Sequence, residues 1–170
     1  MLLHQALFKK LAAISMVIAF CGAAWAQSAS PVLTVEQARQ IVAPFYDALN
    51  QPATKNVEEL LDRATSPAWV SCGGNTTCAP RAIIIPAFKS RGTAIPDLKW
   101  EIKDVQVSGD TVIVRGEATG TPAGEFMGVP NGGKSFRIMS IDVHTIQDGR
   151  MLRSYHVEDW SGAARQLAAK

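Results

Sequence analysis

Apolar residues along this chain change their period once, near residue 98, and that change predicts the order of the elements. From Thr34 onward they first recur at helical spacing. Val35, Ala38, Ile41, Val42, Phe45, Ala48 and Leu49 form one stripe, as an amphipathic helix requires. Thr34 supplies the start signal and Gln37, three residues on, its capping-box partner. Pro44 should bend this helix. A second helix is expected from Asn56, capped with the help of Glu59 and turning Val57, Leu60 and Leu61 inward. Residues 69–70 read as a short edge strand, and residues 81–89 as a third helix shortened by Pro86.

Beyond Leu98 the period is two. Trp100, Ile102, Val105 and Val107 lead into the turn Ser108-Gly109-Asp110, and Val112, Ile113 and Val114 return from it. Residues 120–133 hold five of the chain's 13 glycines together with Pro122 and Pro130, which marks a long loop. Residues 135–146 and 151–160 then make a hairpin around Asp148-Gly149. Helices first and antiparallel strands after them predict an α+β domain, with helices against one face of a curved sheet. A chain of 170 residues is long enough for one such core.

The first 26 residues follow a different pattern. Lys9 and Lys10 precede an apolar stretch over residues 11–22, and Ala24-Trp25-Ala26 places small residues where a signal peptidase reads. A secretory signal cleaved after Ala26 is expected, since a spanning helix needs ~20 apolar residues. Cys21 would suit a lipoprotein, but Phe20 stands where a small residue is wanted. Residues 27–33 read as a flexible lead, so the folded domain is expected over residues 34–170. The location implied is a bacterial periplasm, with no membrane association after cleavage.

Removing the leader alters the charge. Lys9 and Lys10 are two of the 17 basic residues, and the 15 that remain balance the 15 acidic ones. No cluster of Lys and Arg suggests a nucleic-acid partner. Two cysteines remain, Cys72 and Cys78, six positions apart, and an exported chain makes a disulfide their strongest reading. A metal site would need two further ligands, and no histidine lies near.

The order Pro96-Asp97-Leu98, Gly109-Asp110, Gly120-Thr121, Gly124 to Pro130, Gly133-Lys134, Asp148-Gly149-Arg150 and Asp159 resembles the SnoaL-like polyketide cyclase (ester cyclase) family, within the nuclear transport factor 2-like superfold. The resemblance implies a cone-shaped barrel in which a curved antiparallel sheet wraps an apolar pocket. It also implies a homodimer formed sheet to sheet, and aldol closure without metal or cofactor by an aspartate near a histidine. Several positions depart from the family's pattern: Pro122 follows Gly120-Thr121, and Arg153 and Tyr155 stand where glutamate and tryptophan are common.

A hairpin in ideal register pairs Gln147 with Arg150, His144 with Arg153, and Asp142 with Tyr155. Because side chains alternate along a strand, Asp142, His144, Ile146, Met151, Arg153, Tyr155, Val157 and Asp159 would share one face; a bulge would flip part of that set. This face is assigned to the pocket because Asp159 matches the family's closing aspartate. Asp159 is then the expected acid/base, His144 its donor or relay, and Asp142 the group that orients His144. Tyr155 and Arg153 would hold a substrate oxygen, with Trp100, Phe126 and Phe136 as pocket wall. Asp159 could equally cap a helix or pair with Arg153. Three functions stay open: a lyase, isomerase or cyclase for a small apolar carbonyl compound; a periplasmic carrier for such a ligand; and a structural domain whose own side chains fill the cavity.

Overall fold

The computed structural model describes residues 32–130 and 132–169. The signal expected over residues 1–26 and the lead up to residue 31 lie outside the described residues. Four helices and six strands follow in the order α1 Val35–Leu49, α2 Val57–Ala64, β1 Thr65–Cys72, β2 Cys78–Pro80, α3 Arg81–Ala94, β3 Lys99–Ser108, β4 Thr111–Gly120, β5 Phe136–Gln147, β6 Arg150–Glu158 and α4 Trp160–Ala168.

The helix starts follow the caps read from sequence. The Gln37 backbone N–H donates to Thr34 Oγ1 at 3.2 Å, and the Thr34 N–H donates to Gln37 Oε1 at 2.9 Å. Asn56 accepts from the Glu59 N–H in the same way. Neither proline ends its helix: α1 runs through Pro44, and α3 continues past Pro86 to Ala94, five residues beyond the expected end.

The strands form a single sheet in the order β2-β1-β6-β5-β4-β3. Four long strands were expected to be antiparallel, and they are. The supposed edge strand at residues 69–70 is instead part of β1, which lies between β2 and β6 and runs parallel to β6. The sheet is therefore mixed. A connection through the β2 hairpin, α3 and three further strands separates β1 from β6, and no local signal could have paired them. At the β5–β6 turn Asp148 and Gly149 both take positive φ, 51° and 72°, the backbone a tight two-residue hairpin demands.

α1 packs on the sheet, and its Val42, Phe45, Tyr46 and Leu49 are buried in one core cluster with Trp69, Val112, Val114 and Phe136. Each large apolar side chain so buried contributes roughly 1.5–3 kcal/mol. The separated landmarks Pro96-Asp97-Leu98 and Gly120-Thr121 meet here: Asp97 accepts from the Thr121 N–H and from its hydroxyl, at 2.6 and 2.8 Å. Gly116 has no room for a side chain, since a Cβ there would stand 2.6 Å from Ser140 Oγ. Its bareness lets the Trp100 indole N–H reach Ser140 Oγ at 3.2 Å.

Candidate active site

One extra residue on β6 decides what faces the interior. Ile146 pairs with Met151 but Thr145 with Arg153, so Leu152 is bulged out of the ladder. Beyond it the ideal register fails: His144 lies opposite Ser154 rather than Arg153, and Asp142 opposite His156 rather than Tyr155. Ser154, His156 and Glu158 turn inward. Arg153, Tyr155 and Val157 turn to the outer surface, where Arg153 and Tyr155 touch each other and line no interior space.

Deep in the fold the inward residues form a chain of hydrogen bonds. The Tyr46 hydroxyl lies 3.0 Å from Asp142 Oδ2 and 3.1 Å from His144 Nε2. His144 Nδ1 lies 2.8 Å from Ser154 Oγ, which accepts the Trp69 indole N–H at 2.9 Å. An indole can only donate and a phenol carries one proton. With Asp142 ionised, Tyr46 donates to it, His144 donates to Tyr46 from Nε2, and Ser154 donates to His144 Nδ1. Every proton in the chain then points toward Asp142.

This environment moves the ionisable groups apart. Burial raises the Asp142 carboxyl to about 7, with the Glu158 charge adding to it and the Tyr46 and Ser140 hydrogen bonds and the His156 charge opposing. Burial, aided by His156, lowers His144 to about 3, so its imidazole is neutral at ordinary pH. Tyr46 is pushed well above the phenol range by burial and by Asp142.

Nearer the surface stands a second group. His156 Nδ1 is 2.8 Å from Glu158 Oε1, and the Trp160 indole N–H donates to Glu158 Oε2 at 3.1 Å. The His156 side chain is 31% exposed. That hydrogen bond raises His156 above the usual imidazole value, burial opposing and the charges of Glu158 and Asp142 reinforcing it. For Glu158, burial pushes up, but the His156 hydrogen bond and the charges of His156 and Arg91 outweigh it and hold the carboxyl low. The other edge of the imidazole faces Gly73, the residue after Cys72 of the Cys72–Cys78 disulfide, whose S–S distance is 2.09 Å. A Cβ at Gly73 would sit 3.7 Å from His156 Cε1 and 3.9 Å from Nε2.

The expected site is thus only partly brought together. Asp142 and His144 meet, through Tyr46. Asp159 does not share their face: β6 ends at Glu158, and Asp159 caps α4, accepting the Gly162 N–H at 2.8 Å and the Ser161 hydroxyl at 3.0 Å. Those bonds hold its carboxyl below the usual range. Trp100 and Phe136 are buried core residues, and Phe126 is half-buried beside Trp160. Tyr46, Ser154, His156 and Glu158 were not assigned to the site. Tyr46 stood in plain view beside Phe45 on the helical stripe, as a polar tip among apolar neighbours; the other three required knowledge of the bulge.

The family model for SnoaL-like polyketide cyclases matches residues 40–167. No curated protein matches the chain. Among solved structures, IdmH from Streptomyces antibioticus is 26% identical over 78% of this chain and 99% of its own, with a TM-score of 0.68. TsrD from Streptomyces laurentii is 24% identical over 81% and 99%, also at 0.68. A SnoaL-like protein of Jannaschia sp. CCS1 is 22% identical over 85% and 99%, at 0.67. The match across most of the chain, on four helices and an open six-stranded mixed sheet, places this protein in the SnoaL-like polyketide cyclase family.

Proposed function

We propose that the chain is an exported, cofactor-independent isomerase or cyclase that moves a proton next to the carbonyl of a small apolar substrate. The observation that carries this reading is the Asp142–His156–Glu158 array on the inner face. It holds one acid poised near neutral pH directly opposite an imidazole that solvent reaches. His156 is the group that exchanges a proton with the substrate, and Glu158 orients it and stabilises the imidazolium. Asp142 is the aspartate of this reading; its charge rises and falls in the same pH range and tunes His156. Asp159 has no part in it. A proton taken beside a carbonyl and returned at another atom is isomerisation, whereas attack of the carbanion on a second carbonyl of the same molecule closes a ring.

Export rests on the pattern of residues 1–26. Pairing with a second copy rests on the outer sheet face, where Ile113, Met139, Tyr155 and Val157 stand exposed. A non-catalytic carrier is the second reading, favoured by Asp142 being only 3% exposed. Exchange of the α-protons of 2-tetralone in D2O separates the two. Saturable acceleration by the protein supports chemistry, and binding with no acceleration supports a carrier.

A further inference from the structure

α3, the tip of the β4–β5 connection and the start of α4 enclose an open cleft of about 510 Å³, lined chiefly by Ala87, Ser90, Arg91, Phe126, Met127 and Trp160. Its walls are mostly apolar, and one cation stands in them. The Arg91 guanidinium lies over the Trp160 ring, 4.9 Å from its centroid. Among the described residues no carboxylate lies within ion-pair distance of Arg91. Glu158 feels its charge, but the oxygens of Glu158 are already taken by His156 and Trp160.

We propose that this cleft selects substrates that carry a carboxylate on a flat apolar body, with Arg91 as the residue that recognises the carboxylate. The inference names the substrate class of the proposed pocket and rests on that reading. A guanidinium offers a planar fork of donors that matches a carboxylate in two parallel bonds. A neutral ligand filling the cleft would cover that charge and leave it unpaired, which costs binding energy; an anion removes the cost. The body of such a ligand lies against Phe126, Trp160 and the thioether of Met127, a side chain that adapts to varied shapes. Met127 sits at the tip with φ of 52°, a left-handed conformation uncommon for a residue with a side chain. The fold thus holds a flexible apolar group at the rim at some conformational cost. Trp160 joins the two regions: Arg91 covers its ring, and its indole N–H holds Glu158. A carboxylate on Arg91 is therefore held against the ring whose indole N–H bonds Glu158, the partner of His156.

Equilibrium binding of 2-naphthoate and of 2-naphthamide tests this without turnover. Wild type is expected to bind the acid at least tenfold more tightly than the amide. Arg91→Met should bring the two within about twofold, and Arg91→Lys should restore part of the preference. In wild type, 2-naphthoate should also shift the Trp160 indole N–H resonance. Equal affinities in wild type, a preference that survives in Arg91→Met, binding of neither probe, or an unmoved Trp160 resonance would each overturn the proposal. If 2-tetralone is bound but not exchanged while naphthoate selectivity stands, the catalytic reading fails and the anion site remains.

Discussion

Asp142 and His156 face each other across the β5–β6 ladder, Asp142 sealed from solvent and His156 reached by it. Leu152 creates this relationship, because the bulge there turns His156 inward. Had β6 kept ideal register, Asp142 would face Tyr155 instead, and His156 would lie on the other side of the sheet.

Asp142 should make stability depend on pH in a definite direction. Its folded value of about 7 lies above the ordinary 3.8, so the folded state keeps a proton that the unfolded chain gives up. The stability tied to that proton is complete below about pH 4, is lost as pH rises, and is gone above about pH 7. Asp142→Asn cannot titrate. In urea unfolding, its stability relative to wild type should rise from pH 4 to pH 8, by on the order of 3 kcal/mol. A difference that stays constant with pH would show that Asp142 ionises normally.

Tyr46→Phe deletes the hydroxyl that joins Asp142 to His144. Two buried groups lose their partner, which should cost about 1–3 kcal/mol. The Tyr46 hydrogen bond also opposes the rise in the Asp142 pKa, so the Asp142 carbon resonance should titrate at higher pH in the variant. An unchanged midpoint would mean that Tyr46 packs beside the carboxyl without bonding to it.

Much of this fold was legible in the sequence. Thr34 with Gln37 and Asn56 with Glu59 announced two helices, and Asp148-Gly149 announced the last hairpin, because caps and tight turns are local chemistry. Asp142 and His144 were legible as inward neighbours for the same reason, being two apart on one strand. The placing of Arg153, Tyr155 and Asp159 failed, because one bulged residue inverts every side chain after it. Leu152 also falls where β6 shifts register against β1, between the Thr65–Met151 and Val70–Arg153 pairs, and periodicity carries no trace of a strand some 80 positions earlier in the chain.

Cys72 and Cys78 should both resist alkylation in unreduced protein. Replacing both with serine should cost about 2 kcal/mol, as expected for opening so small a ring. The substitution should also shift the His156 titration, since the imidazole occupies the space beside Gly73, the neighbour of Cys72. Labelling of two thiols in the unreduced protein would contradict the pairing.

The outer face supports a different measurement. Ile113, Val143 and Tyr155 lie in one row across β4, β5 and β6, with Ile141 and Val157 in the next. Light scattering at micromolar concentration should give the mass of a dimer. Val157→Asp should give a monomer with little change in stability, because Val157 is 70% exposed in one copy. A wild-type monomer would remove the pairing.

The most direct measurement is the rate at which the protein exchanges the α-protons of 2-tetralone for deuterium, followed by NMR across pH. His156 must be neutral to accept a proton, and its pKa is raised by Glu158; the rate should therefore climb with pH and level off above the ordinary imidazole value of about 6.5. His156→Gln should lower the rate by about 100-fold or more. Asp142→Asn should move the rising limb to lower pH, since the Asp142 charge helps to raise His156. A protein that binds 2-tetralone without accelerating exchange, or a His156→Gln variant as fast as wild type, would contradict acid/base chemistry at this array.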